Sequence, residues 1–129
     1  MKKSMKWFAA LAVVGALAGC ARTAPLEKIH TIVAAGYTQD QVKNAILRAG
    51  VQRQWMMTQV APGEIKARQQ VRDHMAEVRI NYSSTGYDIV YDHSTNLLAS
   101  GGQIHKTYNR WVENLDKDIQ ANLSAGTKL

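Results

Sequence analysis

The sequence predicts an α+β fold: a single two-layer domain with an antiparallel meander sheet of about four strands. An N-terminal helix and a C-terminal amphipathic helix pack on one face of that sheet. Three observations carry this expectation. Thr38 and Gln41 stand at capping-box spacing before an apolar stripe; residues 64–72 and 75–82 alternate strictly between apolar and polar; and Ile104, Tyr108, Trp111, Val112, Leu115, Ile119 and Leu123 recur at helical steps.

The first apolar segment, Leu26 to Val33, fits a strand or a short turn of helix, and is taken as a strand. A helix over about 39–49 follows. Thr38 caps it, Asp40 sits in its first turn where the helix dipole favours negative charge, and Val42, Ala45, Ile46 and Leu47 form its apolar stripe. Gly50 is expected to end it in the left-handed conformation. A strand containing Trp55 leads to a turn at Pro62 and Gly63. In the next strand Ile65, Ala67, Gln69 and Val71 take one face; Glu64, Lys66, Arg68, Gln70 and Arg72 take the other. The pattern repeats with Ala76, Val78, Ile80 and Tyr82 opposite Glu77, Arg79 and Asn81. After a turn at 83–86, Tyr87, Ile89 and Tyr91 alternate with Asp88, Val90 and Asp92. Such alternation marks a sheet with one wet face. A loop over 94–102 precedes the last helix, about 105–124, whose outer face is expected to carry Lys106, Arg110, Glu113, Asp116 and Lys117. Asn109 and Arg110 are expected off its buried stripe and free for contact.

The chain begins MKKSMKWFAALAVVGALAGC. Lys2, Lys3 and Lys6 precede an apolar run of about eleven residues, too short to span a bilayer that needs about 20. It ends Leu17, Ala18, Gly19, Cys20, and Cys20 is the only cysteine. These four positions resemble the lipobox of bacterial lipoprotein precursors. The resemblance implies that residues 1–19 are a signal peptide, that the Cys20 thiol takes a diacylglyceryl group, and that the new amino terminus is acylated. Several acyl chains hold a protein on a membrane where one does not. Ala21, rather than Asp, follows the cysteine, which by resemblance to enterobacterial sorting implies the periplasmic face of the outer membrane. With Cys20 consumed, no disulfide or thiol ligand remains.

Lys2, Lys3 and Lys6 are three of the 16 basic side chains, so the chain from Cys20 on carries about +3 against the full sequence's +6. That weak excess argues against nucleic-acid binding. Residues 20–25 read as the lipidated cysteine and a short tether, reaching on the order of 20 Å when extended. Residues 26–129 read as one domain held close to the membrane surface.

Catalytic patterns are thin. No G-x-S-x-G occurs, and Ser100 lies beside glycines in a loop. His30, His74, His93 and His105 are far apart, with no H-x-H or H-E-x-x-H spacing. Asp92 and His93 are adjacent, but one pair makes no ligand set; Asp88 and Asp92 read as a solvated strand face. The sequence therefore predicts a non-enzymatic protein with no metal and no cofactor. Lys66, Arg68, Arg72 and Arg79 are expected on one outward face, partly neutralised by Glu64 and Glu77. That face is either an ordinary mixed-charge surface or a binding face for anionic headgroups, a cell-wall glycan or an acidic partner.

The strings IH..YNRWV.NLD..I and GYT...V..AI..AG, with the STNL loop, resemble small proteobacterial outer-membrane lipoproteins of unassigned function. The resemblance covers about residues 36–120, implies a lipidated single domain, and brings no catalytic residue. The expected function is a partner-binding or scaffolding module near the membrane, acting through the sheet face or an exposed edge. The alternative is a binder of an anionic small ligand, lipid headgroup or glycan through the basic face.

Overall fold

A computed structural model describes residues 22–126. Leu17, Ala18, Gly19 and Cys20 lie outside the described residues. The elements run β1 (Thr23–Pro25), β2 (Ile29–Ile32), α1 (Gln39–Gln52), β3 (Met56–Ala61), β4 (Glu64–Val71), β5 (His74–Tyr82), β6 (Gly86–Thr95), β7 (Gln103–His105) and α2 (Lys106–Ala125). The fold is α+β, as expected. Strand count is larger: β2-β6-β5-β4-β3 form a five-stranded antiparallel sheet, and β1 pairs with β7 in a second, two-stranded sheet. The meander β3 to β6 is continuous, while β2 adds to its β6 edge.

The alternation of the strands sorts the sheet into faces. Ile65, Ala67, Ala76, Val78, Ile80, Tyr82, Tyr87 and Ile89 are buried against the two helices in one core. Each large side chain buried there contributes about 1.5–3 kcal/mol. Gln69 joins that face, but Val71, at the end of β4, is 43% exposed. Both sides of the capping box are made: the Thr38 hydroxyl accepts from Gln41 N–H at 3.1 Å, and the Gln41 side chain accepts from Thr38 N–H at 2.8 Å. Ile104 and the α2 stripe Tyr108, Val112, Leu115, Ile119 and Leu123 are buried, with Trp111 half-buried. Asn122 Nδ2 donates to Ala45 C=O at 3.1 Å, and Arg53 pairs with Asp118 at 2.6 Å, locking the helices together.

Four expectations are corrected. Gly50 does not end α1; it is buried inside the helix, and Gln54 (φ 64) makes the left-handed turn. A Cβ at position 50 would lie 2.2 Å from Met57 Sδ, so the glycine is used for close approach of α1 to β3. Residues 23–25 are not free tether but strand β1. Asn109 is not free: it is 8% exposed, accepting from Glu27 N–H and donating to Pro25 C=O, each at 3.0 Å. Asp116 is not an outer-face residue: it accepts from Thr31 Oγ1 at 2.8 Å and Tyr87 Oη at 2.5 Å, clamping α2 to β2 and β6. Among the described residues no helix is long and apolar enough to cross a membrane.

Candidate functional site

The outward sheet face is ordered by register into rows: Met56–Arg68–Glu77–His93, Thr58–Lys66–Arg79–Val90, and Glu64–Asn81–Asp88–His30. Lys66, Arg68 and Arg79 are therefore brought together. Arg72 is not; it occupies the β4–β5 turn in the left-handed conformation (φ 57), at the end of the hairpin.

These cations meet carboxylates. Arg79 donates to Glu64 Oε2 at 2.5 Å and lies 4.0 Å from Asp92; Lys66 is 3.8 Å from Glu77. Arg68 donates to Gln70 at 3.3 Å and makes no ion pair among the described residues. The face sets Glu64, Glu77, Asp88 and Asp92 among Lys66, Arg68 and Arg79, so it does not build a strong positive field. A half-exposed pair such as Arg79–Glu64 contributes about 0–1 kcal/mol, whereas the Glu77 carboxylate beside Lys66 is buried.

A bulge in β6 opposite Glu77 and Val78 turns Asp92 and His93 toward the same face. His93 Nδ1 is 3.6 Å from Glu77 and 3.4 Å from Asp92, and the three side chains could together offer two carboxylates and an imidazole to a cation. Sequence spacing found Asp92 and His93 but not Glu77, because the contact crosses strands. Lys66 and Arg79 already lie against those carboxylates, so the charge a metal would answer is answered by the protein.

The remaining histidines scatter. His30 hydrogen-bonds Asp88, His74 Nδ1 bonds Asn96 C=O at 2.9 Å, and His105 caps α2 by accepting from Thr107 N–H. Ser100 closes a tight turn on Gln103 around Gly101 and Gly102, whose φ of 57° and 79° favour glycine. Tyr82 is buried, with its hydroxyl accepting from Gln59 at 2.9 Å, and so does not share a face with Arg68 and Arg79. A cavity of about 430 Å³ at the β5–β6 turn is lined by His30, Ile32, Asn81 and Tyr82, without any of the four basic residues.

The sheet edges differ. β2 is four residues long, carries His30 hydrogen-bonded to Asp88, and is tied to α2 through Thr31. β3 is six residues, MMTQVA, with no charge and no proline, and is exposed along almost its whole length. Met56 is 70% exposed and Val60 45%. Natural sheets usually blunt an edge with charge, proline, brevity or a bulge; β3 has no charge and no proline, and its one irregularity is a register shift between Gln59 and Ala61 that leaves Met56–Gln59 regular. The sequence showed β3 as a strand; its place at the edge depends on the order of all five strands.

Compared with known proteins, the chain matches no family model and no curated protein.

Proposed function

We propose that this is a non-enzymatic envelope lipoprotein, anchored through Cys20 to the periplasmic face of the outer membrane, that binds an extended segment of an envelope partner by strand addition at β3. One observation carries the reading: Met56–Ala61 is an uncharged, proline-free edge strand left open to solvent. Backbone N–H and C=O groups on such an edge supply affinity, while Met56 and Thr58 on the outward side, and exposed Val60 at the register shift that follows, would grip side chains of the incoming strand. The likeness to small proteobacterial lipoproteins belongs to the same proposal.

The test places a photo-crosslinking residue at Thr58 or, for comparison, at Lys117 on α2, in cells. Capture of one protein at Thr58 and not at Lys117 is expected, with loss of capture when Met56→Lys and Val60→Lys are combined. A synthetic peptide of the crosslinked segment should then slow amide exchange across 56–61. Equal capture at both positions, or a peptide that protects another element, would sink the reading. Reversing Lys66, Arg68 and Arg79 to Glu separates the alternative, an anionic ligand on the sheet face. Strand addition leaves capture at Thr58 intact in that variant.

A further inference from the structure

Strand β1 and six exposed side chains converge at one end of the sheet. Lys106 N–H, at the first turn of α2, donates to Arg22 C=O at 3.2 Å, and His105 N–H donates to Leu97 C=O at 2.7 Å. Leu97 is buried, which holds the next residue, Leu98, outward at 54% exposed with φ 56. Asn96 then reaches across: its Nδ2 donates to Asp73 C=O at 3.0 Å, and its own carbonyl meets His74 Nδ1. That fixes the loop to the β4–β5 turn, where Val71 is 43% exposed and Arg72 is solvent-facing. Val51, 68% exposed, lies in the last turn of α1 just ahead of β3, whose first residue pairs three positions short of Val71. Exposed Leu98, Val71 and Val51 thus share this end with exposed Arg22, Arg72 and Lys106, which make no ion pair among the described residues; Asp73 lies 3.6 Å from His74.

The pairing of β1 with β7 sets the distance to Cys20. Because Thr23–Pro25 is bound into the domain, only two Cα steps of about 3.8 Å separate Cys20 from Arg22. We infer that this end of the domain docks directly on an anionic bilayer surface, with Leu98 and Val71 entering the interface and Arg22, Arg72 and Lys106 among the headgroups. The inference rests on the lipidation of Cys20. Charge and apolar side chains at one tethered end match the two terms that bind a surface to anionic lipid.

The experiment uses the full lipidated protein in vesicles of phosphatidylethanolamine and phosphatidylglycerol. Since the Cys20 thiol is consumed, Leu98→Cys or Thr85→Cys introduces one labelling site; Thr85 lies in the β5–β6 turn at the opposite end of the sheet. An environment-sensitive fluorophore at position 98 is expected to be quenched by lipids carrying a nitroxide, while one at 85 is not. Arg72→Gln or Lys106→Gln should each lower the docked-to-undocked ratio by about fivefold. Equal quenching at 98 and 85, or stronger quenching at 85, overturns the docking, including in favour of a protein covering this end in cells. The mass of the purified chain separates the two failures: an unmodified Cys20 removes the premise, whereas a lipidated Cys20 without quenching at 98 refutes the docking alone.

Discussion

Asn109→Ala removes the side chain that holds the end of β1 and the residues after it against α2. Its Oδ1 accepts from Glu27 N–H and its Nδ2 donates to Pro25 C=O, each at 3.0 Å, from a site 8% exposed. Each such bond contributes about 1 kcal/mol net, and stranding a half-buried backbone group costs more than losing the bond. Partial access to water returns some of that cost, so the expected loss is about 2 kcal/mol. For a domain of this size that lowers the thermal midpoint by about 10 °C. Asn109→Asp keeps the acceptor for Glu27 and loses the donor to Pro25, and should fall between the two. Circular dichroism reads the midpoint, and hydrogen exchange reads the Glu27 amide, which should exchange faster in the alanine variant. A midpoint within experimental error of wild type, with the Glu27 amide unchanged, would refute the claim that this clamp shortens the tether. The functional consequence follows: freeing β1 lengthens the path from Cys20 and should weaken quenching of a label at position 98.

Two further predictions concern protons. Burial, then the hydrogen bond and charge of Asp116, push the Tyr87 phenol above its ordinary range. A raised folded pKa means stability that is complete below about pH 10 and lost as pH rises beyond it. Tyr87 absorbance at alkaline pH should therefore appear only with unfolding, and Asp116→Asn should lower the pH at which it appears; titration of Tyr87 in the folded protein at the ordinary value would contradict this. Burial, then the neighbouring Glu113, raise the Glu27 carboxyl. Its contribution is present below the ordinary carboxylate range and lost as pH rises through the raised value. Glu27→Gln should thus stabilise the protein by a few tenths of a kcal/mol at neutral pH and leave it unchanged in acid, as read from urea midpoints.

The parts of the fold with a local period were readable before the structure. Ile65–Ala67–Gln69, Ala76–Val78–Ile80 and Tyr87–Ile89 alternate because each strand has one wet face, and the α2 stripe repeats because one side of the helix is buried. β1 and β7 have three residues each, too few for a period, and exist only because they pair with one another. Gly50 looked like a helix end because glycine favours C-caps; its actual role, room for Met57, is a contact between elements. Asn109 and Asp116 bind groups on β1, β2 and β6, which helical spacing cannot reveal. On the candidate site, alternation placed Lys66, Arg68 and Arg79 together, but the approach of Glu77 to Lys66 and of Asp92 to Arg79 depends on register and a bulge. The open β3 edge is a property of strand order alone.

The most direct measurement is the intact mass of the protein extracted from bacterial membranes, with fragmentation of its first peptide. The anchored account expects a chain beginning at Cys20 and carrying acyl chains on its thiol and amino terminus. A chain that retains residues 1–19, or one with a free Cys20 thiol, would contradict the account at its root.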